Sequence, residues 1–166
     1  MWETLQIISE PVSLADAKKH LRLNPGTDED DYVNMLISAA RQFAENYIGR
    51  SIAVQQILCT EVDAKAVWLP RPPVTEVQSV LVDGEPVEYD YDSINGLVVL
   101  EEKAERVDIT YKAGYATCPA GLKLAILLLI ANWYENREAV VTGSIASVTP
   151  PLGAVTLLNQ HKDWWF

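Results

Sequence analysis

At 166 residues and 18.5 kDa the chain has the length of one average domain, or of one domain with an insertion, and buries enough surface to fold without disulfides. Hydrophobic residues at 49% and charged residues at 22% exclude a disordered or low-complexity chain. The balance of 13 basic against 23 acidic side chains, net -10, with 12 of the acids in residues 61–118, excludes a tight nucleic-acid binder, whose affinity rests on phosphate neutralisation.

The first predicted helix spans 13–23. Ser13 caps it, Asp16 completes a capping-box-like Ser-x-x-Asp, and Leu14, Ala17 and Leu21 share one face. Asn24, Pro25 and Gly26 stop it. Thr27 is expected to cap a second helix over 28–48, whose first turn, Asp28, Glu29, Asp30 and Asp31, suits the positive end of the helix dipole. Its apolar stripe runs through Tyr32, Leu36, Ala39, Phe43 and Tyr47, and Gly49 ends it.

From Ser51 the period of the pattern changes to two. Strands are expected at Ser51–Val62, Val67–Leu69, Val77–Val82, Val87–Tyr91, Leu97–Leu100 and Val107–Lys112. Pro70-Arg71-Pro72-Pro73, Asp83-Gly84, Asn95-Gly96 and the acidic run from Glu101 to Glu105 separate them. A third helix is expected over 119–137, apolar nearly all round from Leu124 to Ala131, hence buried centrally or covered by a neighbouring subunit. A loop from Val140 to Pro151 and a tail from Leu152 to Phe166 follow. The fold class is therefore α+β: a helical core of three main helices (1–50 and 116–139), an inserted antiparallel β-unit (51–115), and a loop with an extended C-terminal tail (140–166).

Little chemistry is legible. Cys59 and Cys118 have no CxxC spacing and no basic neighbour, so they read as small apolar residues, with one disulfide left open. Met1 to Glu10 lacks the charge and apolar core of a signal peptide, and the longest apolar run is far short of the ~20 residues that span a bilayer, so a soluble chain is expected. No phosphate-binding, nucleophile-elbow or metal-ligand motif occurs, and no cofactor is expected. The Asp28–Asp31 run lacks the glycine and glutamate of a calcium loop, since Val33 and Ala39 hold those positions. His20 suits a helix C-terminus, His161 lies in the tail, Trp68 and the Pro70–Pro73 run read as a strand end and elbow, and Glu135, Arg137 and Glu138 read as an ion-pair network.

Six blocks carry a resemblance: Pro11–Leu23, the acidic start of helix 2 with Met35–Arg41, Glu45–Arg50, Leu69–Val74, Tyr111–Tyr115 and Leu127–Ala139. In that order, over about residues 11 to 139, the chain resembles phage head-tail connector (adaptor, head completion) proteins, in the branch with a β-insertion found in tailed phages and gene-transfer particles. The segment from Val155 to Phe166 matches no family pattern. The resemblance implies a structural, non-enzymatic virion protein, made in the host cytoplasm and located at the head-tail interface. It further implies a homo-oligomeric ring below the portal, a dodecamer in the virion, that prolongs the DNA channel without gripping DNA and offers the tail its platform. Its partners would then be other copies of itself, the portal protein and a tail or head-completion protein, with no membrane.

The residues agree with assembly. A channel that must not hold DNA suits an acidic chain, and the apolar third helix with its aromatic tail is more greasy surface than a lone domain needs. Ring closure requires head-to-tail contacts, for which the acidic helix-2 start or the β-unit is expected to face Arg41 or Arg50 of the next subunit. The tail is expected to be a docking arm, with Leu157 and Leu158 on its apolar face and Trp164, Trp165 and Phe166 as anchors; the alternative is a lid folded onto helix 3. Two other readings stand beside the connector: an acidic protein-binding module or DNA mimic, and a small hydrolase built on Glu135, Arg137 and Glu138.

Overall fold

The structure, a computed structural model, describes residues 1–24, 26, 28–136 and 150–162. Ser13 starts α1 (Leu14–Leu21) as its pattern predicts: the Ser13 hydroxyl accepts the Asp16 N–H at 3.1 Å and donates to the Asp16 carboxylate at 2.8 Å. Arg22 ends it in the left-handed region, φ 57°, a position that glycine usually fills.

Helix α2 (Asp30–Ile48) begins two residues later than expected, with Glu29 as N-cap and no side-chain cap bond; Thr27, the expected cap, lies outside the described residues. The start is held from elsewhere. Lys18 of α1 donates to the Gly26 carbonyl and to Asp30, and Tyr134 donates to Glu29. Gly49 ends α2 at φ 76°.

Helix α3 (Ala120–Glu135) is the apolar helix, and α1, α2 and a further helix, α4 (Leu152–Asn159), pack on it. Leu122, Ala125, Ile126, Leu129 and Ile130 are buried in the helical unit with Val33, Leu36, Ala40 and Ala44 of α2. Four helices replace the expected three, and Leu152–Asn159 is not extended tail. A continuous apolar surface on α3 has to be covered, and a short apolar helix covers it.

The second compact unit is a sheet. Its strands are β1 (Trp2–Ser9), β2 (Val54–Trp68), β3 (Val74–Val82), β4 (Glu85–Pro86), β5 (Tyr89–Asp92) and β6 (Leu97–Ala113). The order is β1-β2-β6-β3-β4, all pairs antiparallel, and β5 adds to β6 beside the first part of that strand. The 17-residue β6 organises it, pairing β2 along one edge and β5 then β3 along the other. Ile57, Cys59, Val67, Val98, Val107 and Ile109 form the centre of its core.

Three expectations are corrected here. The strands expected over 51–62 and 67–69 are a single strand, β2, running from Val54 to Trp68, and those expected over 97–100 and 107–112 are a single strand, β6, because Val62 pairs with Arg106 and Ala64 with Ala104 across the intervening polar stretches. Met1–Ser9, assigned to the helical core as part of 1–50, belongs to the sheet unit, which comprises Met1–Ser9 and Arg50–Ala116. The elbow at Pro70–Pro73 is tied down by its carbonyls: Pro70 accepts the Tyr111 hydroxyl at 2.6 Å, Pro72 the Ser51 N–H at 3.0 Å and Pro73 the Gly114 N–H at 2.9 Å.

Candidate functional site

The cations expected to face a neighbouring subunit are engaged within their own. Arg41 lies on α2 with 4% of its surface exposed; its Nε donates to Glu10 at 2.9 and 3.2 Å and its Nη1 to Glu45 Oε2 at 2.9 Å. Glu45 is itself only 5% exposed. Helical spacing of four puts Arg41 over Glu45, but the chain entering α1 brings Glu10 to the other side, a contact no local pattern announces. Arg41 is thus a buried structural cation rather than a rim charge. Arg50 is half-buried and donates to the Tyr115 hydroxyl at 3.4 Å.

The expected tail anchors divide. Leu158 is fully buried and Leu157 half-buried, both on α4, so Leu158 fills its own subunit's core rather than a partner's. Gly121 of α3 faces α4: a β-carbon there would sit in ordinary van der Waals contact, 3.9 Å from Leu157 and 3.7 Å from the His161 ring. The Tyr47 hydroxyl donates to Asn159 at 2.9 Å, and Lys162 lies 4.8 Å over the Tyr47 ring. Phe43 stacks against Tyr47 and meets Trp133 edge-on. These contacts make the described part of the tail a lid. Trp164, Trp165 and Phe166 lie outside the described residues, as do Arg137, Glu138 and the loop from Val140 to Thr149.

No reactive constellation forms among the described residues. Cys59 is buried, Cys118 is half-buried and both are free; burial pushes each thiol above its ordinary value. Among the described residues no three His, Cys, Asp or Glu side chains gather as a metal site requires. Glu135 is exposed at the end of α3 and His20 at the end of α1. Three carboxylates are held below the usual range, all by structural bonds: Asp16 by Lys123 at 2.8 Å and the Ser13 hydroxyl, Asp92 by the Asn95 side-chain amide and then by the Asn95 and Ile94 N–H groups, and Asp108 chiefly by the Thr60 hydroxyl at 2.6 Å and then by Arg106.

What the sequence did not single out is the charge left over at the surface. In the β-unit, Asp83, Glu88, Glu101, Glu102 and Glu105 rim a groove of about 550 Å³ floored by Val82, Val87, Leu100 and Ala104. In the helical unit, Lys19, His20 and Arg22 are exposed at the end of α1, beside a shallow concavity lined by Leu14, Ala15 and Leu23. The signal for the first was the 61–118 acid excess and for the second the Lys-Lys-His-x-Arg run; which of these charges remain unpaired depends on the fold.

The arrangement is one of surfaces rather than of reacting groups, and comparison with known proteins accords with it. The family model described as head completion protein matches residues 10–148. The chain belongs to that family. No curated protein matches it. A chain from the neck of an empty gene transfer agent (GTA) particle computed with C6 symmetry shares the fold of this head completion protein at TM-score 0.77 and 20% identity, covering 98% of this chain and 95% of that one. A chain from the virion of a native GTA particle gives 0.76 at 20% identity over 98% and 95%. One from the neck of a native GTA particle computed with C12 symmetry gives 0.72 at 18% over 98% and 94%. The family match takes in α1 to α3 and the sheet from β2 onward; the structural likeness, at 98% of the chain, extends to β1 and α4.

Proposed function

We propose that this head completion protein is a structural component of the virion neck that forms a ring of identical subunits below the portal, prolongs the DNA channel and presents a platform to the tail. The observation that carries the reading is the family match over residues 10–148 joined to a fold shared almost end to end with GTA neck chains. The C6 and C12 symmetries of those necks support a closed ring and favour twelve copies in the particle. The net charge of -10 supports a channel that does not hold DNA.

Trp164, Trp165 and Phe166 are the anchors by which the subunit engages the portal or a neighbouring subunit, since tryptophan leads among residues that dominate interfaces. No catalytic step and no cofactor enter this role. The test is electron microscopy of particles assembled without this protein. DNA-filled heads lacking tails, restored to tailed particles by the wild-type chain, are expected; normally tailed particles would overturn the reading.

A further inference from the structure

We infer that the ring interface is a charge-complementary contact between two different surfaces of the same chain: the acid-rimmed groove of the β-unit of one copy receives the basic end of α1 of the next. This rests on the ring reading above and names the surfaces that would form it.

Nearly all described lysines and arginines are engaged within the subunit: Lys18 with Asp30, Arg41 with Glu10 and Glu45, Lys103 with Asp63, Arg106 with Asp108, Lys112 with Glu76 and Lys123 with Asp16. Arg50 bonds to Tyr115, Arg71 lies over Trp2 and Lys162 over Tyr47. Among the described residues Lys19, Arg22 and Lys65 alone have no such partner, and Lys19 and Arg22 sit together on one helix end with exposed, unpaired His20 between them. A chain with ten more acids than bases that leaves two of its three spare described cations, with His20 between them, at one helix end presents a directed surface there.

The opposite surface is equally unspent. Asp83, Glu88, Glu101, Glu102 and Glu105 carry no ion pair among the described residues, and the one cation in their rim, Lys103, is bonded to Asp63 at 2.6 Å. Five carboxylates around one groove repel one another, and that repulsion is relieved by cations brought from outside. They do not converge as metal ligands do. Dispersed acids around an apolar floor fit a protein surface of the opposite sign, and the basic end of α1 beside Leu14 and Leu23 is such a surface: each has an apolar centre and a charged rim. Two unlike patches on one chain give a heterologous contact, the kind that closes rings. Charges at such a rim fix register and speed encounter, and like charges placed opposite each other block it.

The experiment uses the full chain and sedimentation velocity at low salt. One variant reverses the basic end (Lys19→Glu with Arg22→Glu), the other the acid rim (Glu101→Lys with Glu102→Lys). Each alone is expected to associate on the order of a hundredfold more weakly than wild type, and an equimolar mixture to regain association, because both junctions of an alternating ring are then complementary. A third variant, Arg22→Gly, separates interface from folding: glycine suits the φ of 57°, so its melting temperature is expected to hold or rise while association weakens.

Folded single-surface variants that associate like wild type would overturn the inference, and so would a mixture that stays dissociated. Normal association of the Lys19/Arg22 variant together with lost retention on double-stranded DNA would assign the basic end to phosphates and also overturn it. If wild type forms no oligomer at any accessible concentration, the ring reading fails and this inference with it. Wild-type rings with indifferent variants sink the inference alone.

Discussion

Replacing Leu158 with alanine tests whether the segment after Pro151 is a lid on α3 or an arm. The side chain is fully buried, as is Ala154 one turn earlier, and together they fix the eight residues of α4 to the helical unit. Truncating a buried leucine costs about 2 to 5 kcal/mol, least where the surroundings collapse into the space. A two-turn helix near the chain end can shift inward, so the lower half applies, about 3 kcal/mol. For a chain of this length each kcal/mol lowers the melting temperature by about 2 to 4 °C, which gives a fall of about 6 to 12 °C. Leu152, 81% exposed on the same helix, is the control, and its alanine variant should change stability by less than about 0.5 kcal/mol. Circular dichroism melts of the full chain measure both, and hydrogen exchange over 152–159 reports whether α4 stays docked. Equal melting temperatures for the two variants would refute the lid, because a side chain that fills the core cannot be removed without loss.

Gly114→Ala should disrupt the β-unit by more than about 4 kcal/mol, since the backbone holds φ at 111° and the new β-carbon would lie 1.9 Å from the Ala53 carbonyl oxygen; a folded variant with an unchanged melt would contradict the close approach. Arg41→Ala leaves Glu10 and the buried Glu45 without their shared guanidinium and should cost about 3 kcal/mol, detected by urea unfolding; a surface rim charge would cost almost nothing. Acid should weaken the fold in a defined direction. Asp16 and Asp108 have folded pKa values below the usual 3.8, so the folded state holds fewer protons there than the unfolded chain; their stabilisation is complete above that value and disappears as pH falls through the lower folded values. Denaturation midpoints measured downward from about pH 5 should therefore fall, and Asp108→Asn should flatten that dependence; an unchanged slope in the variant would show that other groups carry it.

The helices were legible where the chain announces them itself. Ser13 and Asp16 cap α1 as their spacing predicts, Gly49 ends α2, and the change to a period of two after Ser51 marks the sheet. The misses share one cause. The acidic run from Glu101 to Glu105 looks like punctuation and lies within β6, because the chain on both sides of it pairs with β2, Val99 with Ala66 and Arg106 with Val62, some 40 residues away in sequence. Strand β1 is an edge strand, exposed at almost every residue, and so carries no alternation to detect. Leu157 and Leu158 were seen as apolar, but apolarity does not say whose core they fill.

By itself the sequence determined that the chain is α+β, where the helical and strand periods change, the acid excess of the middle segment, and, through the order of its blocks, the family. Those properties are local or additive: capping, periodicity and net charge need no partner elsewhere in the chain. Only the tertiary structure decided which charges are spent and which remain. Arg41 and Lys18 are consumed by Glu10 and Asp30, contacts made across the fold, whereas Lys19 and Arg22, of the same residue types and on the same or the neighbouring helix, are left at the surface. A charge announces its sign in the sequence, but its availability depends on what the folded chain places within a few ångströms of it.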